Sequence, residues 1–431
     1  MVLDQTTLND LEVLAARDGG RAVLDLLDHT RTRQGRLALR QRLENPLSTI
    51  QEIRAVQEAL PVLADTTSLN LPDDAILSAA ERYIHSDVVL GGKNRLSAYW
   101  EGAWLRLSYP AIPRELAEGQ ASIRVLVRFS QQVIPDLCEA GKPALLRTIG
   151  DQLAALNAHL ERALRAKPLL IADQQVRAGL RKEVLEVIRL LGELDALRSM
   201  ALASQSPGWT IPELVESSEF FLDAKAAFHP FVKDGTANPI CLTGDNPVVF
   251  LTGPNMAGKT TYLKTVALVV LLAQMGMNVP AASVRLAPVE AVFTSLNPVD
   301  NLRAGISFFY AEILRVREAA QILAEGRRAL VLFDEVFKGT NVKDALEASA
   351  KVIKGFAQTR RSGSVFASHL SELHESLRDD PAIRFCQFGG ELRKGKPTFS
   401  YTLESGVSDK RFGLLLLEQA QVPELMAKIG A

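Results

Sequence analysis

The chain has 431 residues, 47% of them hydrophobic, and its 49 lysines and arginines nearly balance 50 aspartates and glutamates for a formal net charge of −1. That length suits two or three domains, and the composition excludes a long disordered or low-complexity chain. No overall positive charge favours nucleic acid, so any DNA contact would need a local basic patch. Cys138, Cys241 and Cys386 are far apart and form no CxxC pair, as expected of a reduced intracellular protein without a disulfide framework or zinc site. The first ten residues are polar and acidic, unlike a signal peptide, and the most apolar run, residues 266–277, is too short to span a bilayer. A cytoplasmic protein with no membrane partner is the expectation.

The first half reads as helical. Leu145, Ile149, Leu153, Leu156, Leu160 and Leu164 recur at steps of four and three, as do Val176, Leu180, Val184, Val187, Leu191 and Leu194. Each row forms an apolar stripe along a helix. Lys167-Pro168 separates the rows, because proline disfavours helical geometry in the residue before it. The two helices could form a long antiparallel hairpin or belong to an ordinary bundle.

Around Ser206-Pro207-Gly208 the pattern changes to short β-branched runs alternating with helical stretches. Val248-Val249-Phe250-Leu251 precedes a glycine loop, Leu330-Val331-Leu332-Phe333 ends in two carboxylates, and Ser364-Val365-Phe366-Ala367 ends near His369. Strands alternating with helices imply a mostly parallel sheet covered on both faces. The expected division is an all-α domain over residues 1–215 and an α/β domain over 216–431.

Gly253-Pro254-Asn255-Met256-Ala257-Gly258-Lys259-Thr260 fits the phosphate-loop pattern between an expected strand and helix. Its glycines let backbone amides surround phosphates, and the helix N-terminus adds partial positive charge there. Lys259 is expected to reach the β and γ phosphates of ATP, and Thr260 to ligate Mg2+. Asp334 and Glu335 follow an apolar strand downstream of this loop. Asp334 is assigned to the metal and Glu335 to the attacking water. His369 follows the next strand, where ligands gather in open α/β sheets; it either senses the γ phosphate, polarises the attacking water, or is structural.

These residues resemble the MutS family. The run Phe250 to Tyr262, with its Pro-Asn-Met insert and Thr261 after the loop, is similar to that family's phosphate loop. Asp300-Asn301-Leu302-Arg303-Ala304-Gly305-Ile306-Ser307-Phe308-Phe309-Tyr310-Ala311-Glu312 resembles its signature loop, Phe333 to Asn341 its second carboxylate motif, and Phe366-Ala367-Ser368-His369 its histidine strand. Gly406 to Gly413 and Gln421-Val422-Pro423-Glu424 resemble the end of its ATPase domain. More loosely, Leu26 to Arg36, Asn45-Pro46-Leu47 and Leu191 to Leu197 resemble its helical core and lever, and His229-Pro230 the entry to its ATPase domain.

The resemblance implies an ABC-type ATPase fold in which two chains of a homodimer close each other's nucleotide sites. Asn255, Lys259 and Thr260 would hold phosphates and magnesium, and Ser307 would face the partner's nucleotide. Ser307 also suits a helix N-cap, and both roles can hold together. The family's mismatch-reading and connector domains are not matched, so direct mismatch intercalation is not expected. Gly235 and Thr236 stand where the family often has an adenine-stacking aromatic ahead of Ala237-Asn238-Pro239, and Ala257 replaces a frequent glycine. The function implied is nucleotide-switched dimer clamping on duplex or branched DNA in repair or recombination. Arg31, Arg33, Arg36, Arg40 and Arg42 would contribute phosphate contacts or form a solvated helical face. A nucleotide-switched module acting on a protein partner is the alternative, separable by the salt dependence of DNA retention. A transporter ATPase subunit fits poorly, because no Leu-Ser-Gly-Gly-Gln signature is present.

Overall fold

The computed structural model describes residues 1–17, 19–65, 71–86, 95–167, 169–296, 308–393, 396–410 and 420–429. The chain divides into two compact units. One combines Met1–Val23, Glu44–Ile53 and Pro207–Ala431; the other combines Leu24–Leu43 and Arg54–Ser206.

The first unit is built on strands β1 (Val2–Leu3), β2 (Glu213–Leu214), β3 (Phe221–Ala227), β4 (Asn238–Thr243), β5 (Val248–Thr252), β6 (Ser283–Leu286), β7 (Ala291–Ser295), β8 (Ala329–Asp334), β9 (Gly363–Ser368), β10 (Ile383–Arg393) and β11 (Lys396–Ser405). Seven form a sheet in the order β1-β7-β8-β9-β5-β10-β11, parallel throughout except for the antiparallel β10–β11 edge. Every residue of β5, β8 and β9 is buried, as central strands covered on both faces require. The three apolar runs singled out in the sequence are thus neighbours, which brings their C-terminal ends to one place. Phe293, Phe333, Phe356 and Phe366 close the core beneath, Phe333 and Phe366 stacking at 5.3 Å. A second sheet, β2-β6-β3-β4, lies in the same unit.

The helix Lys259–Gln274 follows β5 and is buried along almost its whole length. Its interior lacks glycine and proline, and it stops where Gly276 takes a left-handed φ of 77° and the N–H of Met277 bonds back to Leu272. The apolar run at residues 266–277 is therefore a core helix; no described helix is long and apolar enough to cross a membrane.

A single cut near residue 215 is corrected by this division. The chain changes unit at Pro207, and two N-terminal segments join the sheet unit. β1 adds in parallel to β7. Asp10, 1% exposed, accepts hydrogen bonds from the Thr294 hydroxyl and the Leu296 N–H, both 2.9 Å. The Gln274 amide donates to the Leu47 carbonyl at 2.6 Å, and the Leu47 N–H donates to the Gln274 carbonyl at 3.0 Å. Such polar pairing over long sequence separation leaves no periodic mark in the sequence.

The second unit is helical. The 145–164 stripe lies on the helix Ala144–Leu164, with Ile149, Leu153, Leu160 and Leu164 buried. The 176–194 stripe is interrupted. Leu169–Gln174 leads into a single π-turn, Gln175–Gly179, before Arg181–Ala203 resumes. Of the two alternatives, hairpin or ordinary bundle, the packing follows the bundle, because Ala144–Leu164 pairs chiefly with the preceding helix, Ala111–Cys138. A Cβ on Gly150 would meet the Cys138 sulfur at 2.4 Å, and Ser130 donates to Asn157 across the same contact at 2.9 Å. Of the arginine row, Arg36 pairs with Asp25 and Asp28, and Arg42 with Glu193. Carboxylates of their own unit thus already engage these two guanidiniums.

Candidate nucleotide site

The phosphate loop leaves β5 at Gly253, whose φ is 153°, and enters the helix at Gly258, whose φ is 100°. Both lie in the region that disfavours a side chain, and a Cβ on Gly253 would stand 2.9 Å from the Phe388 carbonyl oxygen. Met256, also at positive φ (69°), is exposed, whereas Ala257 is buried, so the alanine fits without displacing the loop. The first amides of a long buried helix therefore point into an open cavity, an arrangement that attracts anions.

Lys259 is 6% exposed and donates to the carbonyls of Gly253 at 2.8 Å and Pro254 at 3.4 Å. Burial lowers its pKa, opposed by the charges of Glu335 and Asp334. Thr260 donates to Asp334 Oδ2 at 2.5 Å. Asp334 ends β8 and is 8% exposed; burial raises its pKa. Its other oxygen, Oδ1, is buried and without a hydrogen-bond partner. An orphaned carboxylate oxygen costs about 1–3 kcal/mol or more, and a cation would satisfy it. The donor set, one carboxylate and one hydroxyl beside a phosphate loop, fits magnesium, which takes few protein ligands and completes its shell with water and phosphate oxygens. Among the described residues no group of three or more His, Cys, Asp or Glu could cage a metal unaided.

Glu335 follows at φ 55°, its N–H donating to the Ala367 carbonyl of β9 at 2.8 Å. One carboxylate oxygen lies 3.4 Å from His369 Nδ1, and the other 2.5 Å from Lys338 Nζ. The His369 hydrogen bond, with the Lys338 contact, holds the carboxyl down at about 2. Glu335 is therefore an anion throughout the neutral range. Lys338 sits on a turn where Phe337 also has a left-handed φ, 66°. Buried Glu312 fixes that turn by accepting the N–H groups of Lys338 and Gly339, both at 3.3 Å.

Lys259, Thr260, Thr261, Asp334 and Glu335 line one cavity of about 730 Å³ with Pro254, Asn255, Met256 and Gly258. His369 is not among the lining residues but pairs with Glu335, which is. Ser307 lies outside the described residues. Sequence reasoning missed Lys338, Glu312 and Tyr401. Tyr401 reaches the cavity from β11, close enough that a Cβ on Gly258 would meet its ring at 3.4 Å. Its signal was indirect. Asn238 holds β11 by donating to the Tyr401 carbonyl at 2.9 Å and accepting the Leu403 N–H at 2.7 Å. Gly235 and Thr236 also line the cavity, and Phe228, His229 and Tyr401 give it aromatic side chains although the positions immediately before Ala237 carry none.

Residues 249–429 match the family model for MutS domain V. The chain is 32% identical over 265 residues to the DNA mismatch repair protein MutS of Brevibacillus brevis, covering 58% of this chain and 30% of that protein. It is 34% identical over 278 residues to DNA mismatch repair protein MutS 1 of Halobacterium salinarum, covering 63% and 31%. To MutS of Shouchella clausii it is 29% identical over 307 residues, 70% and 34% of the two chains. The chain thus spans about a third of the length of these relatives.

Proposed function

We propose that this chain, which belongs to the MutS family, binds ATP with Mg2+ in the 730 Å³ cavity, hydrolyses it, and uses the cycle to close and open a homodimer on DNA. Domain V of that family is an ABC-type P-loop ATPase domain, and the DNA mismatch repair names of its relatives favour DNA over a protein-only partner. The observation that carries the nucleotide reading is the Thr260–Asp334 pair beside the loop, with one buried Asp334 oxygen left open to a cation.

Loop amides and the helix N-terminus receive the phosphates. Lys259, which donates to loop carbonyls here, would exchange those hydrogen bonds for ones to the β and γ phosphate oxygens. Thr260 and Asp334 hold the metal, which when bound neutralises charge developing on the phosphate oxygens. Glu335 orients a water; its oxygen bonds to the γ phosphorus as the bond to the β–γ bridging oxygen breaks. That oxygen leaves on ADP with the electron pair, and the water's proton passes to Glu335 and on to phosphate. His369 and Lys338 position the Glu335 carboxylate through its two oxygens. By the resemblance of its loop to the family's signature, Ser307 would face the partner's nucleotide, so each site would be completed by a second chain. Tyr401 supplies a wall against the base.

The test is DNA retention with and without ATP on mismatched, branched and perfect duplexes over a range of salt. The reading expects nucleotide-dependent retention with a steep salt slope. No retention in any nucleotide state would overturn the DNA part of the proposal.

A further inference from the structure

The helix Arg95–Ser108 of the helical unit is apolar on two opposite faces. Ala98 and Leu105 are buried on the inner one. At 100° per residue, Tyr99, Ala103, Leu107, Trp100 and Trp104 fall within one arc of about 140° on the other side. Tyr99, Trp100, Trp104 and Leu107 are 56% to 86% exposed, and Tyr109, 54% exposed, extends the stripe with its ring edge-on to Trp104 at 5.5 Å. Two of the chain's three tryptophans therefore stand in solvent on one helix. Isolated exposed hydrophobics are ordinary, but a contiguous aromatic stripe of this size marks an interaction surface.

We propose that this stripe is a self-complementary contact between two copies of the chain, formed without nucleotide. The inference goes beyond the nucleotide-driven dimer and does not depend on it. Charge decides against a nucleic-acid occupant. No charged residue lies within the arc, and the neighbouring Arg106, Arg114, Glu101, Glu115 and Glu118 offset one another rather than forming the basic groove that accompanies base-stacking aromatics. Area favours a second copy. With a buried aromatic contributing about 150–250 Å², the stripe offers roughly 600 Å² per chain. Pairing it with itself would remove roughly 1,200 Å², the lower end for a specific interface. A two-fold arrangement uses the same patch twice and closes without leading to fibres.

Sedimentation velocity on the full chain without nucleotide tests this, comparing wild type with Trp100→Ser/Trp104→Ser. Both side chains are exposed, so circular dichroism should be unchanged. The expected result is reversible wild-type dimerisation that persists as salt is raised, weakened about thirtyfold or more in the double variant, the loss expected from removing two aromatic anchors. ATP binding, which does not use these residues, should be retained in both. A wild type that stays monomeric at tens of micromolar, or a double variant that dimerises equally well, overturns the proposal. So does tryptophan emission that shifts only when single-stranded DNA is added, since the stripe would then be a base-stacking platform.

Discussion

Lys259 is buried and tied to two loop carbonyls that cannot replace a triphosphate. Lys259→Ala is expected to abolish ATP hydrolysis in a phosphate-release assay; near-normal turnover would remove the phosphate-loop assignment. Glu335 has a different task. Held at about 2, it is already charged at neutral pH and needs no activation. Glu335→Ala should bind ATP in equilibrium titration yet turn it over about 10²–10⁴-fold more slowly, and should accumulate as a dimer. Loss of binding would mean that the roles of Asp334 and Glu335 are divided wrongly. His229, at the cavity wall, gives a pH signature. Burial pushes its pKa down to about 4 from an ordinary 6.5, so the unfolded chain binds the extra proton first. Above pH 6.5 both states are neutral and this group contributes no slope; as pH falls from 6.5 towards 4, stability declines by up to about 2–3 kcal/mol. Urea denaturation at pH 7.5 and pH 5 should show His229→Gln losing less stability than wild type over that interval.

At the level of elements, the N-terminal segment reinforces the sheet edge. Asp10 accepts bonds from a side chain and a backbone N–H of the β7 end, so Asp10→Ala removes the buried acceptor that both share. The expected cost is about 1–3 kcal/mol, read as a lower denaturation midpoint; a midpoint unchanged from wild type would show that this contact is dispensable. The central strands and the phosphate-loop helix were legible because buried parallel strands write continuous apolar runs into the chain and the loop demands glycine at fixed spacing. The arrival of Tyr401 was not legible, because its place depends on β11 pairing with β10 and on the grip of Asn238. The hairpin partner of Ala144–Leu164 was likewise hidden. A stripe states which face is buried but not against what, and the close approach of Ala111–Cys138 at Gly150 rests on a single small residue.

For the whole molecule, composition told that the chain was large enough for more than one unit but not that the chain crosses between units more than once. Residues 1–23 and 44–53 joined the sheet unit through β-addition and paired amides, interactions without sequence period. The site's dependence on a second chain is the claim on which the functional account turns. Mixing Ser307→Ala with Lys259→Ala should give activity different from the sum of the two alone, because each chain would lend the other an intact half. The most direct test is the ATPase rate per chain as protein concentration is varied at saturating ATP and Mg2+. The account predicts a rate that rises steeply with concentration and levels off as dimers saturate. A rate per chain that is full and constant down to concentrations where the protein sediments as a monomer would contradict it.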